Sequence, residues 1–199
     1  MVDMSIQIRG EPLTNTKCKF IVDRPVYADR SFFFANKEQA DGSPLAEALF
    51  NIEGVASVLL SHNVVTIGKA NDAEWPVIGK QIGAAIRNHL GSGQPAVSED
   101  ARRKLPPTDV LRNRIEKVLQ EDVNPWVGQH GGVVRLIDVK ENTVFVQMGG
   151  GCQGCGQATA TLRQGVEVAI RAAVPEVGDI LDVTDHAAGR NPYYAAAGS

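Results

Sequence analysis

Residues 133–173 read VVRLIDVKENTVFVQMGGGCQGCGQATATLRQGVEVAIRAA, and this stretch decides the fold of the second half of the chain. Residues 133–139 and 143–148 each alternate apolar and polar side chains around a short polar turn, a pattern that predicts a β-hairpin. From Cys155 onward the apolar residues recur at helical spacing, which predicts one long helix. Its apolar face comprises Ala158, Leu162, Val166, Ala169, Ile170 and Ala173. A glycine-rich segment therefore lies between the end of a strand and the start of a helix.

A helix before the hairpin and a strand after the long helix complete this half of the chain. Apolar residues on one face predict the earlier helix, which opens at Pro107-Thr108 and is expected to end at Pro125. These residues are Leu111, Ile115, Val118 and Leu119. Residues 180–184 are rich in β-branched side chains and predict a closing strand. The order helix, strand, strand, helix, strand predicts an α+β module close to the lower size limit of an unassisted core.

Strands and two helices are also predicted in the first half. Alternation or β-branched runs predict strands at 6–8, 17–22, 55–60 and 64–67. The pair His62-Asn63 predicts a hairpin turn between the last two strands. Ser43-Pro44 is typical of a helix start and predicts a short helix.

A longer helix is predicted after these strands, with Asn71 or Asp72 as its cap and Gly91 as its stop. Its apolar stripe comprises Trp75, Ile78, Ile82, Ile86 and Leu90. Together, these strands and helices predict a small α/β sandwich.

The stretch between the two halves has the composition of a linker. Residues 92–107 are rich in Gly, Pro and Ser and show no apolar periodicity. We therefore expect an α+β protein with two small α/β sandwich domains joined by a flexible linker. The expected boundaries are 1–91 for the first domain, 92–107 for the linker, 108–185 for the second domain and 186–199 for a disordered tail.

Composition restricts the class of protein further. The chain has 199 residues, 43% of them hydrophobic, and a net charge of -3. It can bury a core, and it lacks the basic character typical of proteins that bind nucleic acid or anionic membranes. Residues 142–162 are uncharged, but their glycines and amides make them too polar for a membrane span. The N-terminal residues resemble neither a signal peptide nor an organelle leader, so we expect a cytoplasmic protein.

The three cysteines divide into a pair and a single residue. Their odd, sparse count argues against a disulfide framework. Cys152 and Cys155 lie three positions apart among glycines, where two thiols can face one metal centre and amide N–H groups favour thiolates. Cys18 lies in a predicted strand and is expected to be a buried packing residue. His130, before Gly131-Gly132, is expected to have a turn or polar role rather than to bind a metal.

Two thiols fall short of the roughly four protein ligands that a zinc site or an iron-sulfur cubane needs. The simplest completion is a second copy of the chain, each copy contributing Cys152 and Cys155 across a two-fold axis. The motif alone leaves two other interpretations open, a thiol-disulfide oxidoreductase and a structural zinc site. The sequence shows no phosphate-binding loop, nucleophile elbow or acid–base constellation, so we do not expect an enzyme.

The chain resembles the Nfu-type iron-sulfur proteins in both halves. The second half resembles the NifU C-terminal domain in Val118-Leu119, His130-Gly-Gly, the predicted hairpin, Gly150-Gly-Cys152-Gln-Gly-Cys155, Thr161-Leu162 and Val174-Pro-Glu-Val177. The first half resembles the Nfu N-terminal domain in Thr16-Lys-Cys-Lys-Phe20, Ser43-Pro-Leu-Ala, Phe50-Asn-Ile-Glu-Gly-Val-Ala-Ser-Val58 and Glu74-Trp75. Together the two resemblances cover nearly the whole chain apart from the linker and the tail.

The resemblance implies a scaffold or carrier that holds one 4Fe-4S cluster per homodimer and delivers it to apo-proteins. Cys152 and Cys155 of each subunit would bind the iron. The implied partners are upstream cluster assembly machinery and apo iron-sulfur client proteins, with no nucleic acid and no membrane. The domain at 108–185 would bind the cluster, and the domain at 1–91, which lacks a cysteine motif, is expected to dock clients or tune assembly.

Overall fold

The computed structural model describes residues 6–70, 72–150 and 156–183. Over these residues the chain divides into two compact units, with the boundary between Lys104 and Leu105. Each unit combines one β-sheet with helices, which confirms the predicted α+β class. Within the described ranges, no helix is long and apolar enough to cross a membrane.

The first unit contains a five-stranded antiparallel sheet in the order β1-β2-β5-β4-β3. Its strands are β1 (Ile8–Pro12), β2 (Lys17–Val22), β3 (Tyr27–Phe34), β4 (Val55–His62) and β5 (Val64–Lys69). The tight turn between β4 and β5, with His62 at a φ of 50°, confirms the predicted hairpin. The predicted strand at 6–8 is wrong in its bounds, because pairing with β2 continues as far as Pro12 and Cys18.

The described part of the first unit contains three α-helices: α1 (Pro44–Phe50), α2 (Trp75–Ser92) and α3 (Glu99–Arg103). The predicted stripe of α2 is confirmed, since Ile78, Ile82 and Ile86 are buried. The predicted cap and stop of α2 are wrong. Glu74 precedes the helix and Pro76 occupies its first turn, where a missing N–H costs no hydrogen bond. The helix ends before Gly93, whose left-handed φ of 67° favours glycine.

Helix α3 lies inside the segment predicted as a linker. Ser98 caps it, because its Oγ accepts a hydrogen bond from the Ala101 N–H at 3.1 Å. Ser98 N–H in turn donates to Oγ of buried Ser43 at 3.0 Å. Ala96, Val97 and Ala101 are buried. Residues 96–103 of the predicted linker thus have defined structure within the first unit.

The second unit contains a three-stranded sheet in the order β6-β7-β8. Its strands are β6 (Gly132–Lys140), β7 (Thr143–Gly150) and β8 (Ile180–Asp182), and its helices are α4 (Thr108–Val118), α5 (Asn124–Gly128) and α6 (Gly156–Ala173). Strands β6 and β7 form an antiparallel hairpin, and β8 pairs parallel to β7. The predicted hairpin, long helix and closing strand are confirmed. The tail predicted at 186–199 lies outside the described residues.

The prediction that Pro125 ends the first helix of this unit is wrong. After α4 the backbone passes through one π-helical turn, Leu119–Val123, directly into α5. Pro125 occupies the first turn of α5, where a backbone N–H would have no hydrogen-bond acceptor within the helix, so the missing N–H of proline costs nothing. The apolar core joins α4, α6 and the sheet. In α6, Val166 and Ile170 are buried as predicted, whereas Ala173 is exposed.

Candidate functional site

The sequence places the candidate ligands Cys152 and Cys155 between β7 and α6. β7 ends at Gly150 and α6 begins at Gly156. Residues 151–155, and with them both thiols, lie outside the described residues. The elements on either side confirm that the motif joins the end of a strand to the start of a helix.

The open end of the β6–β7 hairpin lies next to the cysteine segment. Gly132 pairs with Gly150, and Val133 pairs with Gly149. A Cβ on Gly149 would approach Val133 Cγ1 to 3.2 Å, which is tighter than most real contacts. Glycine at position 149 therefore allows Val133 to pack across the hairpin immediately before the cysteines.

Asn124 fastens the start of β6 to helix α5. Its Oδ1 accepts a hydrogen bond from Val134 N–H at 2.8 Å, and its Nδ2 donates to Val134 O at 3.0 Å. Both backbone groups of a buried strand residue are thereby satisfied by one side chain. Nothing in the sequence signals this residue, because Asn124 and Val134 are ten positions apart and no local pattern links them.

The chain turns from α5 into β6 through His130 and Gly131. His130 N–H donates to Val127 O, and Gly131 N–H donates to Gly128 O, both at 3.0 Å. Gly131 has a left-handed φ of 72°. The His130 side chain is exposed and contacts Trp126 edge-to-face, with ring centroids 6.3 Å apart. The predicted turn position of His130 is confirmed.

Trp126 connects α5 to the middle of α6. A Cβ on Gly165 would lie only 2.8 Å from Trp126 Cη2, so the absence of a side chain there makes room for the indole. Trp126 remains 39% exposed. This contact fixes α6 from one side, while Val166 and Met148 pack in the core on the other.

Two ion pairs of this unit lie away from the ends of β7 and α6 that flank the cysteine segment. Arg112 contacts Asp138 at 2.7 Å near the hairpin turn, and Arg114 contacts Glu176 at 2.8 Å beyond the C-terminal end of α6. Hydrogen bonding from Arg114 lowers the pKa of Glu176. An 18-residue helix is about 27 Å long, so the second pair is far from the N-terminus of α6. Residues 142–162 include no charged side chain, so no carboxylate lies close to Cys152 or Cys155 along the sequence.

Cys18 lies in β2 of the first unit, as predicted, and is 2% exposed. Burial raises the pKa of its thiol, which keeps the thiol protonated near neutral pH. A buried, protonated thiol is a poor metal ligand. Across the described ranges, no group of three or more His, Cys, Asp and Glu side chains could hold a metal ion.

Two family models match the chain in succession. Residues 6–93 match the model described as "Scaffold protein Nfu/NifU N terminal", and residues 115–181 match the NifU-like domain. A NifU-like protein from Schizosaccharomyces pombe is 28% identical over 192 residues, which cover 91% of this chain and 74% of the relative.

Other relatives match in part or at lower similarity. The Fe/S biogenesis protein NfuA of Stutzerimonas stutzeri is 46% identical over 101 residues, but this match spans only 48% of the relative's length. The solution structure of a NifU-like protein from Saccharomyces cerevisiae matches with a TM-score of 0.44 at 20% identity, covering 50% of this chain and 92% of that one.

The human protein named NFU1 iron-sulfur cluster scaffold homolog, mitochondrial, is 31% identical over 186 residues, which cover 92% of this chain and 73% of the relative. With this coverage and with both domain models matched in order, the chain belongs to the Nfu family of scaffold proteins.

Proposed function

We propose that this chain is an iron-sulfur cluster carrier that binds one 4Fe-4S cluster as cargo between two subunits and delivers it to apo-proteins. The observation that carries the proposal is the position of Cys152 and Cys155 at the junction of β7 and α6, inside the NifU-like domain. The names of the relatives, an Fe/S biogenesis protein and an iron-sulfur cluster scaffold, support the coarser function of iron-sulfur carriage.

The elements around the cysteine segment support a cluster-binding role. Asn124 fixes the strand that pairs with Gly150, and Trp126 packs against Gly165 of α6. Both ends of the segment therefore belong to packed elements. Anchoring at these two points lowers the entropy lost when two thiolates bind one cluster.

Ligand counting supports sharing between subunits. One chain offers two thiols in the motif, and a cubane needs about four protein ligands. A two-fold axis brings four equivalent thiolates together without any further ligand. The homodimer is thus part of the proposal, with Cys152 and Cys155 of each subunit bound to iron.

Delivery in this scheme is ligand exchange. Each thiolate of the client replaces one carrier thiolate at one iron, so one Fe–S bond forms and one breaks while the cluster keeps its electrons and sulfides. No general acid or base takes part, in line with a protein that is not an enzyme. A cluster held by only two thiols per subunit can be released by exchanging one thiolate ligand at a time.

The two domains have different tasks in this proposal. The second domain, within 108–185, binds the cluster, and the first unit, which extends to Lys104 and includes α3, docks clients or tunes assembly. A cytoplasmic carrier of this kind would receive its cluster from upstream assembly machinery.

Anaerobic reconstitution tests the proposal directly. The purified chain is incubated with iron and sulfide, and iron, sulfide and mass are measured. We expect about four irons per dimer, loss of this iron in Cys152→Ser and in Cys155→Ser, and retention in the matched control Cys18→Ala. The loaded dimer should then restore the cluster absorbance of an apo-protein that binds a 4Fe-4S cluster.

Two results would contradict the proposal. One is a dimer that retains zinc and takes up no iron, which indicates a structural metal site. The other is catalytic reduction of insulin disulfides that is lost in Cys152→Ser, which indicates a thiol-disulfide oxidoreductase.

A further inference from the structure

A groove of about 440 Å³ lies in the first unit between strand β1 and helix α2. Phe20 and Trp75 line it, with their rings edge-to-face and centroids 6.5 Å apart. Gly10 and Gly79 also line it, and a Cβ at either position would lie 3.7 or 3.6 Å from Phe20 Cε1. Phe20 is only 4% exposed and forms the floor of the groove, and the missing side chains of the two glycines leave the space above this floor open.

Strand β1 is at the edge of the sheet and directs backbone groups away from β2. Val22 N–H donates to Asn63 O, on the side away from β1, so Val22 and its partner Ile8 form a non-hydrogen-bonded pair. The N–H and C=O groups of Ile8, and of Gly10 two residues later, consequently point outward from the sheet. Both residues also line the groove. An added strand would therefore find backbone partners and the groove on the same edge.

The charges that line the groove have one sign. Among its described lining residues, Lys80 and Arg87 are cationic and none is acidic. Arg87 Nε donates to Ile6 O at 3.1 Å, which places the guanidinium at the end of the groove where β1 begins. The nearby carboxylate of Glu11 is paired with Arg9 at 2.7 Å. A ligand that complements this groove carries apolar side chains and negative charge.

We infer that the groove binds an extended acidic and apolar segment of a partner protein by strand addition to β1. Ile8 and Gly10 would supply backbone hydrogen bonds, half-buried Trp75 would contact apolar side chains, and Lys80 with Arg87 would attract carboxylates. The inference rests on the proposed function in one respect: the partner is a client or an assembly protein of the carrier.

Peptide binding tests this inference without a cluster. The full chain carrying Cys152→Ser and Cys155→Ser is titrated into a fluorescein-labelled octapeptide of alternating Glu and Val, and anisotropy is recorded. A matched octapeptide of alternating Lys and Val is the charge control. We expect the acidic peptide to bind at least tenfold more tightly, with an affinity that falls as salt rises.

Three substitutions locate the binding site. Gly79→Leu fills the groove and should weaken acidic peptide binding at least tenfold, while leucine suits a helix better than glycine and keeps α2 folded. Gly10→Pro removes an outward N–H and should cause a similar loss, whereas Gly10→Ala keeps that N–H and should stay within about threefold of the parent. Lys80→Glu combined with Arg87→Glu should reverse the preference toward the basic peptide.

The inference is overturned if the parent binds neither peptide or binds both equally, or if Gly79→Leu and Gly10→Pro bind as the parent does. It is also overturned if sedimentation shows an apo dimer that Gly10→Pro dissociates, since a second copy of the chain would then occupy the edge. Failure of cluster reconstitution leaves all these measurements unaffected, because the titrated chain carries no cysteine pair. The two proposals can therefore fail independently.

Discussion

Trp126 lies so close to Gly165 that no side chain fits between them: a Cβ on Gly165 would be 2.8 Å from Cη2 and 3.1 Å from Cζ3 of the indole. We expect Gly165→Ala to push the indole outward into solvent. The strain of about 1–3 kcal/mol exceeds the helical gain of at most about 1 kcal/mol, so the second unit should lose roughly 1 kcal/mol of unfolding free energy.

Urea unfolding and fluorescence measure this effect. The chain has two tryptophans, so a Trp75→Phe background makes Trp126 the only tryptophan. Its fluorescence emission should shift to the red in Gly165→Ala. Gly128→Ala is the matched control, because a Cβ there meets nothing within 4 Å. If Gly165→Ala is as stable as Gly128→Ala, the close contact between Trp126 and Gly165 does not affect the free energy of unfolding.

Asn124→Ala should destabilise the second unit by about 2–3 kcal/mol, because both backbone groups of buried Val134 lose their partner. Urea unfolding followed by circular dichroism measures the loss. Asn113→Ala, at an exposed position of α4, is the control and should stay within about 0.5 kcal/mol of the parent.

The same Asn124 variant should retain less iron after reconstitution, since the start of β6 pairs with Gly150. Full stability in this variant would show that the two hydrogen bonds are replaced by water.

His89 gives the first unit a pH-dependent stability. It is 8% exposed, and burial lowers the pKa of its imidazole below the ordinary 6.5. The unfolded chain therefore takes up a proton near pH 6.5 that the folded chain takes up only at lower pH. The free energy of unfolding should fall as the pH drops below about 6.5 and level off once the folded pKa is passed.

The substitution His89→Gln removes this titration, so its unfolding free energy should change less between about pH 7.5 and 5.5 than that of the parent. Asn88→Gln, at an exposed neighbouring position, should keep the profile of the parent. Parallel profiles for His89→Gln and the parent would mean that the imidazole is hydrated in the folded state.

Ser43→Ala should release the segment around α3. Without the hydroxyl, the Ser98 N–H has no acceptor, which costs about 1–3 kcal/mol of local stability. Trypsin should then cleave after Arg102 or Arg103 severalfold faster, and mass spectrometry of the early fragments identifies the site. An unchanged cleavage rate would show that the burial of Val97 and Ala101 is enough to retain the segment.

Periodicity predicted the elements whose partners are close in sequence. The β6–β7 hairpin, α6 and the β4–β5 hairpin each carry a repeating pattern that is satisfied within a few residues. Strand β3 was not predicted, because its sequence, YADRSFFF, changes from polar to apolar instead of alternating. Its register with β4 also shifts between Tyr27 and Ser31. Pairing of this kind is decided by tertiary contacts.

The candidate site was likewise only partly predictable from the sequence. The cysteine motif and its place between strand and helix follow from local spacing alone. Asn124 and Trp126 could not be identified from the sequence, because their partners Val134 and Gly165 are ten and more residues away and belong to other elements. Proline was misleading at position 125, since the same residue that ends one helix is also favoured in the first turn of the next.

The short length of β8 has a consequence for the dynamics of the strand that precedes the cysteines. β8 pairs with β7 only at Val144, Phe145 and Val146, whereas Met148 to Gly150 pair with β6 on one side. Amide hydrogen exchange should therefore be slow around Val146 and progressively faster toward Gly150. Such a gradient would confine the opening of backbone hydrogen bonds to the last residues of β7, while the sheet around Val146 stays closed.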